Sequence, residues 1–192
     1  HTQGMLEKES EFVTMAQLYL QAEVPYKAAT LLEEKMNAGI VSKNEKHYRL
    51  LSQSWMLAME DEKAIPALIA AAKLADHGEI DQRLANAYLN TAKYSDCVAS
   101  AKNALRKGGL KSPDNMQISL GMCLYNLKRY GEAKTAFREA SKTPRSLRTA
   151  TQWIKVIDAD VERNRQIQLA EDAARKKRQE LEKKRSGAAR VG

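Results

Sequence analysis

Hydrophobic and small side chains recur along this chain in blocks of about 34 residues. Each block opens with a leucine that a small residue follows directly, and a large side chain stands four positions after the leucine. A second small residue comes after a polar segment, and an alanine stands seven positions beyond it. Leu51, Leu84 and Leu120 open the three clearest blocks, at spacings of 33 and 36 residues. A period of this length predicts a repeated pair of secondary-structure elements.

Each block predicts two antiparallel helices. The opening leucine and the large residue four positions later form the inward stripe of a first helix, and the alanine-rich run forms a second helix. Small residues let two helices approach closely while large ones fill the space opposite. One such pair cannot bury both of its faces, so successive pairs must stack. The small residues directly after the leucines are Ser52, Ala85 and Gly121, and the large residues four positions after the leucines are Trp55, Tyr88 and Leu124. The small residues after the polar segment are Ala64, Cys97 and Ala133. The alanines seven positions beyond those are Ala71, Ala104 and Ala140.

Polar residues, prolines and glycines predict where these helices begin and end. Ser42 with Glu45 has the spacing of a capping box at the start of a first helix. Ser112-Pro113 and Thr143-Pro144 each place a capping residue before a proline at the first helical position. Glycines predict the ends of the second helices. These are Gly39, Gly78 and Gly108-Gly109.

The block that begins at Leu120-Gly121 resembles the tetratricopeptide repeat (TPR). Its matching residues are Leu120, Gly121, Tyr130, Ala133, Phe137, Ala140 and Pro144, and it departs in having Leu124 where a tyrosine is usual. A weaker copy upstream supplies Leu20, Tyr26 and Ala29. The resemblance implies an all-α fold, a right-handed superhelical stack of antiparallel helix pairs with about three to four repeats. A C-terminal capping helix and a charged helical extension are expected to follow the stack.

The expected organisation divides the chain into seven segments. Residues 1–11 are expected to be disordered or expression-derived, and residues 171–192 to be a basic tail that is frayed or disordered. The stripe of Trp153, Ile154 and Ile157 predicts a capping helix over residues 145–170. The four predicted repeats are 12–41, 42–77, 78–111 and 112–144.

In TPR proteins the first helices line a concave groove, so the resemblance implies a binding surface for a protein or peptide partner. The amides could bond to a peptide backbone, while methionine and one exposed tyrosine would serve as apolar anchors. The positions of this sequence that match the groove are Lys46, Arg49, Gln53, Met56, Glu79, Gln82, Asn86, Leu89, Asn115, Ile118, Met122 and Tyr125.

A narrower resemblance concerns periplasmic repeat proteins that accompany TonB/ExbB/ExbD-type energy-transduction systems of Gram-negative bacteria. The similar segments are Pro25-Tyr26-Lys27-Ala28-Ala29, AIPAL, KGGL, LGMCLYNLKRY and QWIKV. It implies a periplasmic location, the alternative being cytoplasmic, and components of a TonB complex as partners. The chain would then be the C-terminal part of a longer exported protein.

The charge of the chain suggests an alternative function. The 192 residues carry a net charge of +8, of which residues 163–192 contribute +6. The tail could therefore act as an adaptor on an acidic partner, a membrane surface or nucleic acid. Its lack of aromatic residues argues against base stacking and so against nucleic acid. No apolar run reaches the roughly 18 residues of a transmembrane helix.

The sequence shows no constellation of residues for catalysis. His1, His47 and His77 are scattered, without a paired carboxylate, an activated nucleophile or a phosphate-binding loop. We therefore expect no enzyme, no cofactor, no bound metal and no small-molecule substrate. Cys97 and Cys123 lack metal-site spacing, and two buried thiols are the favoured interpretation, while a disulfide between them stays open.

Overall fold

The computed structural model describes residues 2–188, with side chains described over residues 8–181. In this part of the chain the backbone forms nine helices and no strands. The helices are α1 (Thr2–Gln21), α2 (Pro25–Asn37), α3 (Glu45–Leu57), α4 (Asp61–Leu74), α5 (Glu79–Asn90), α6 (Tyr94–Lys107), α7 (Pro113–Asn126), α8 (Tyr130–Ser141) and α9 (Pro144–Ala188).

The first eight helices form four antiparallel pairs that stack in chain order. We call α1, α3, α5 and α7 the first helices, and α2, α4, α6 and α8 the second helices. Each second helix packs on its own first helix and on the first helix of the next pair, and α9 packs on α8. The expected all-α stack of helix pairs is therefore confirmed.

Close contact between helices depends on the small residues that the sequence pattern singled out. Gly121 in α7 lies against the ring of Phe137 in α8, and a Cβ atom at Gly121 would come within 2.7 Å of that ring. Ala133 and Ala140 are fully buried in α8. The predicted roles of these positions are confirmed, because any larger side chain would push α7 and α8 apart.

The buried side chains form two core clusters. One runs from Val13 in α1 to Ala87 in α5, and includes Trp55. The other runs from Ala85 in α5 to Ile157 in α9, and includes Phe137. Helix α5 contributes to both clusters. Stability is therefore distributed along the stack, as expected when each repeat contacts only its neighbours.

The turn between first and second helix has the same backbone conformation in all four pairs. Glu23, Met59, Ala92 and Lys128 adopt φ values of 56° to 60° at equivalent positions. In the second pair the N–H of Met59 donates to the carbonyl oxygen of Met56, and the N–H of Glu60 donates to that of Trp55. This is the Schellman motif, in which glycine is the usual residue because a Cβ atom is strained there.

Replacing Met59 with glycine should raise the free energy of unfolding by roughly 0.5–1 kcal/mol. Glycine relieves the left-handed backbone strain, and this gain exceeds the added chain entropy of the unfolded state. The lost side chain contributes little packing, since Met59 is 89% exposed. Urea denaturation followed by circular dichroism measures the change. Gln53→Gly, at an exposed position inside α3, should instead cost about 1 kcal/mol, and a loss of stability in both variants would contradict the argument.

The start of α9 is held to α7 by a buried carboxylate. Asp114 lies in the first turn of α7 and is almost fully buried. Arg145 donates to it from two nitrogens, with Nε at 2.8 Å from Oδ2, and the Ser146 hydroxyl donates to the same oxygen. The bond from Arg145 and then that from Ser146 hold the pKa of the Asp114 carboxyl well below its usual range. The contact fixes α9 over the last pair.

The N-terminal end of the described chain is more helical than the sequence indicated, whereas the C-terminal end forms the charged helical extension that the resemblance implied. Helix α1 begins at Thr2, within the segment expected to be disordered, because α1 supplies Val13 and Ala16 to the core against α2. Helix α9 continues through the expected tail to Ala188. Ion pairs such as Asp172 with Arg175 support this exposed helix at three-residue spacing. His1 and residues 189–192 lie outside the described residues, and the other predicted domain boundaries stay predictions.

Two predicted helix boundaries were wrong. Helix α3 is capped by Asn44, whose side chain accepts a bond from the His47 N–H, and not by Ser42. The N–H and hydroxyl of Ser42 both donate to the Glu9 carboxylate of α1 instead. Gly78 directly precedes α5, whereas α4 already ends at Leu74. Gly78 is needed for packing, since a Cβ atom there would overlap the Ala104 carbonyl oxygen.

Cys97 and Cys123 form a disulfide between α6 and α7. Their Cα atoms are 6.3 Å apart, and both residues are fully buried. The predicted burial is confirmed, but the favoured interpretation of two free thiols was wrong. Sequence spacing could not show this, because the bond joins the second helix of one pair to the first helix of the next.

Candidate binding groove

The groove side of the N-terminal half contains a cleft between α1 and α3. This N-terminal cleft has a volume of about 270 Å³ and is lined by Gln17, Glu45, Lys46, Arg49, Leu50 and Gln53. A second cavity of about 480 Å³ adjoins it, since Gln17 and Lys46 line both. The two cavities together follow the facing sides of α1 and α3.

A second cleft lies between α5 and α7. This C-terminal cleft has a volume of about 250 Å³ and is lined by Glu79, Gln82, Arg83, Asn86, Lys111, Ser112 and Asn115. The Asn86 side chain is oriented by the hydroxyl of Ser119, which lies 3.2 Å from its Oδ1 atom. With its oxygen engaged, Asn86 keeps its NH₂ group as a donor for a ligand.

Arg49 stands between the two clefts. Its guanidinium nitrogens lie 3.5 Å from Glu45 Oε1 in the same helix and 3.5 Å from Glu79 Oε2 in α5. The single positive charge of Arg49 is shared between the two carboxylates. Arg49 is partly buried, and it links the wall of one cleft to the wall of the other.

Three cations of the clefts have no such partner. Within the described part of the chain, Lys46, Arg83 and Lys111 make no ion pair and no side-chain hydrogen bond. Lys46 faces the N-terminal cleft, while Arg83 and Lys111 face the C-terminal cleft. Together with Arg49, these cations give the two clefts four positive charges against the two carboxylates of Glu45 and Glu79, a net charge of +2.

The structure places seven of the twelve residues predicted from the sequence in the two clefts. Lys46, Arg49 and Gln53 line the N-terminal cleft, and Glu79, Gln82, Asn86 and Asn115 line the C-terminal cleft. The remaining five pack instead as partly buried side chains against the core clusters, and these are Met56, Leu89, Ile118, Met122 and Tyr125. Whether any of the twelve contacts a partner stays a prediction.

Tyr125 is not the exposed aromatic that the sequence suggested. Its ring packs edge-on against Trp153 of α9 with 5.3 Å between ring centroids, and its hydroxyl donates to Asp160. The bond to Asp160, followed by burial, raises the pKa of the Tyr125 hydroxyl. The repeat register could not reveal this cover, because α9 has no counterpart in the earlier blocks.

Sequence reasoning missed three polar residues of the clefts, namely Gln17, Arg83 and Lys111. Gln17 precedes the turn residue Glu23 by the same interval that separates Gln53 from Met59. Extending the register into the weak first repeat would have found it. Arg83 precedes the turn residue Ala92 by the same interval that separates Leu50 from Met59, and Leu50 lines the N-terminal cleft. Lys111 lies in the loop before α7, where the repeat pattern gives no signal.

One cluster combines an acid, a serine and a histidine next to the N-terminal cleft. The Ser42 hydroxyl donates to Glu9, and Nδ1 of His47 lies 2.8 Å from the carbonyl oxygen of Ser42. The hydroxyl bond and then the backbone bond from Ser42 lower the pKa of Glu9. Nδ1 must carry a proton to bond to a carbonyl oxygen, so it cannot accept one from the Ser42 hydroxyl. The cluster therefore fastens α1 to the loop before α3 and lacks the arrangement of a catalytic triad.

The described residues give no further chemical centre. Over residues 8–181, no three His, Cys, Asp or Glu side chains come together as a metal site would require. Among the described helices, none combines the length and hydrophobicity that a membrane span needs.

Comparison with known proteins identifies the fold. No protein-family model matches the sequence, and neither does any curated protein. Solved structures match well, among them YrrB, a TPR protein with an unusual peptide-binding site. YrrB has a TM-score of 0.68 and 14% identity, over 84% of this chain and 83% of that one. The fold is that of the tetratricopeptide repeat.

Two further TPR-like structures support the same fold. MamA of AMB-1 has a TM-score of 0.65 and 18% identity, over 81% of this chain and 90% of that one. PilW, a type IV pilus biogenesis factor, has a TM-score of 0.52 and 16% identity, over 80% of this chain and 78% of that one. At these identities the similarity establishes the architecture alone.

Proposed function

We propose that this chain is a non-catalytic scaffold that binds an extended acidic segment of a partner protein in its concave groove. The observation that supports this proposal is the lining of the two clefts, where amides alternate with the unpaired cations Lys46, Arg83 and Lys111. The peptide-binding site for which YrrB is described is consistent with it. No small molecule is proposed as a ligand, because both clefts are shallow and open to solvent.

The amides and the cations would have different roles. Gln17, Gln53, Gln82 and Asn115 can bond to the peptide backbone whatever its sequence, which favours an extended ligand. The three cations select acidic side chains and speed association with them. Binding should therefore weaken as salt is added, since these cations lie in open clefts where ions screen them.

Reversing the three cations should weaken the binding of an acidic peptide by at least about tenfold, as expected when three exposed charge pairs become repulsive. The variant is Lys46→Glu/Arg83→Glu/Lys111→Glu, and fluorescence anisotropy with a labelled Asp- and Glu-rich peptide gives the Kd. A peptide with Lys and Arg at the acidic positions should not bind the unaltered chain. Lys73→Glu, an exposed cation on the second helix α4, is the matched control and should bind the acidic peptide nearly normally.

Two outcomes would refute the groove as the binding surface. One is an equal loss of affinity in the triple variant and in Lys73→Glu, which would indicate nonspecific attraction. The other is loss of peptide binding when residues 171–192 are deleted, which would assign the interaction to the basic C-terminal segment.

We further propose that the protein works in an oxidising compartment, the periplasm, as an accessory of a TonB-type system. The Cys97–Cys123 disulfide supports the compartment, because such bonds persist mainly outside the reducing cytosol. The sequence resemblance described above supports the system. Isothermal titration of the chain with the periplasmic domains of TonB and ExbD tests it, and the absence of binding to both would refute the TonB assignment while leaving the peptide groove untouched.

A further inference from the structure

Helix α1 has the same register as the other first helices but lacks their neighbour. In α7, Cys123 faces the preceding second helix, because its disulfide partner Cys97 lies in α6. Ser54 of α3 and Ala87 of α5 occupy the same position as Cys123 relative to the turn after each helix, because the carbonyl oxygen of each accepts the equivalent hydrogen bond at the end of its helix. Both residues are fully buried. The equivalent residue of α1 is Leu18. No second helix precedes α1 in the described part of the chain, and Leu18 is 56% exposed.

The same comparison holds one turn earlier in each helix. Leu51, Leu84 and Leu120 are buried against the preceding pair, whereas their equivalent in α1, Met15, is 44% exposed. Glu11, a further turn away, is exposed as well. We call Glu11, Met15 and Leu18 the α1 face. It repeats the surface that joins consecutive pairs inside the stack, and it is exposed in the described part of the chain.

The other end of the molecule carries a helical segment without a neighbour. Beyond Asp160, helix α9 leaves the stack, and we call residues 161–181 the α9 extension. Side chains on this extension lie in solvent, including Ile167 at 50% and Leu181 at 52% exposure. Ile167, Ala170, Ala174 and Leu181 follow one side of the helix at spacings of three, four and seven residues. A row of small residues, Cys97, Ala101 and Ala104, is likewise buried along α6, where Cys97 bonds to the first helix of the next pair.

The charges of the two surfaces are complementary. Glu11 makes no ion pair within the described residues, and residues 1–62 contain ten acidic and six basic residues, a net charge of −4. On the α9 extension, Lys176, Lys177 and Arg178 have no acidic partner in the described part of the chain, and residues 163–192 carry +6. Two α9 extensions would repel each other, and so would two α1 faces, whereas one of each would attract.

We propose that the α9 extension of one copy packs on the α1 face of a second copy, in the place that a preceding second helix would occupy. The α9 extension has 21 helical residues and a length of about 30 Å at 1.5 Å per residue, which is ample to cover the α1 face. The contact joins two different surfaces and is therefore heterologous. Repetition of it produces a head-to-tail chain of molecules or a closed ring.

Sedimentation velocity of the full chain over a range of concentrations tests the proposal. The unaltered chain should shift from monomer to larger species as concentration rises, and added salt should reverse the shift. Leu18→Arg places a cation opposite the basic extension, and Ile167→Glu/Leu181→Glu places acids opposite Glu11. Each of these variants alone should remain monomeric. Circular dichroism should show an unchanged helix content, because all three positions are exposed.

Mixing the two variants distinguishes a head-to-tail contact from a symmetric one. Leu18→Arg retains an intact α9 extension and Ile167→Glu/Leu181→Glu retains an intact α1 face, so the mixture should regain association that neither variant shows alone. The matched controls are Leu57→Arg, 55% exposed at the end of α3, and Leu169→Glu, 54% exposed on the α9 extension but off the stripe. Both controls should associate like the unaltered chain.

Several outcomes would overturn the proposal. A monomer at every concentration of the unaltered chain excludes self-association through these surfaces. Dimers formed by either variant alone indicate a symmetric contact between like surfaces. A mixture that stays monomeric, or controls that lose association as fully as the variants, would show that the α1 face and the α9 extension do not recognise each other.

Discussion

Reduction of the Cys97–Cys123 disulfide should lower the free energy of unfolding by about 3.5 kcal/mol, the chain-entropy value for a loop closed over a sequence separation of 26 residues. The bond joins α6 to α7, so it restricts the conformations of the unfolded chain between Cys97 and Cys123, a segment that supplies residues to the second core cluster. The measurement is urea denaturation with and without a reductant, and thiol titration under denaturing conditions confirms the redox state. In thermal unfolding a change of this size corresponds to a fall of about 7–14 °C for a domain of this length.

The double variant Cys97→Ala/Cys123→Ala is the control for this experiment. It should be destabilised to a similar extent, and the reductant should have no effect on it. Alanine fits position 97, since the equivalent positions of α4 and α8 are Ala64 and Ala133. Equal stability of the unaltered chain in oxidising and reducing buffer would disprove the stabilising role of the bond.

Substitution of Lys107 by methionine should cost about 3–5 kcal/mol of stability, because it leaves a buried carboxylate without its cation. The Lys107 ammonium, at the end of α6, lies 2.8 Å from Oδ2 of Asp81, which is almost fully buried in α5. It also donates to the carbonyl oxygens of Ala72 and Ala75 at the end of α4. One side chain thus connects three helices, and urea denaturation of Lys107→Met measures the loss.

The neighbouring Arg106 provides the matched control. It is exposed and donates only to Asn103 in its own helix, so Arg106→Met should change stability by no more than about 0.5 kcal/mol. Adding Asp81→Asn to Lys107→Met should recover part of the loss, because the uncompensated charge is then absent. If Lys107→Met lowers the free energy of unfolding no more than Arg106→Met does, Asp81 is hydrated or paired in another way.

The repeat architecture was predictable because it rests on local spacing. Leu51, Leu84 and Leu120 recur with small and large companions at fixed intervals, and the side chains at those intervals must meet on a helix. Gly121 against Phe137 follows from the same logic. Seven of the twelve expected groove residues line the two clefts for the same reason, since the register of a first helix determines which of its side chains share one face; their contact with a partner stays a prediction.

The features that the sequence did not reveal are contacts between segments that lie far apart in the chain. The reach of Lys107 across 35 residues to Ala72, and the disulfide between consecutive pairs, follow from how helices stack, and no local pattern encodes that arrangement. Ser42 had the spacing of a capping residue, but Glu9 of α1 competed for its hydroxyl. Tyr125 occupies a groove position, yet α9 covers it. In each case a tertiary contact replaced the local preference.

The bridge made by Arg49 has a consequence for ligands of different length. Glu45 and Glu79 already share its guanidinium, so a carboxylate that arrives at Arg49 only exchanges with them and gains little. A short acidic peptide therefore finds its useful contacts in one cleft at a time. A peptide long enough to pass Arg49 engages the second cleft at the high effective concentration that the first attachment creates. Under the proposed function we therefore expect the groove to act as a bivalent receptor, with an affinity that rises steeply once the ligand spans both clefts.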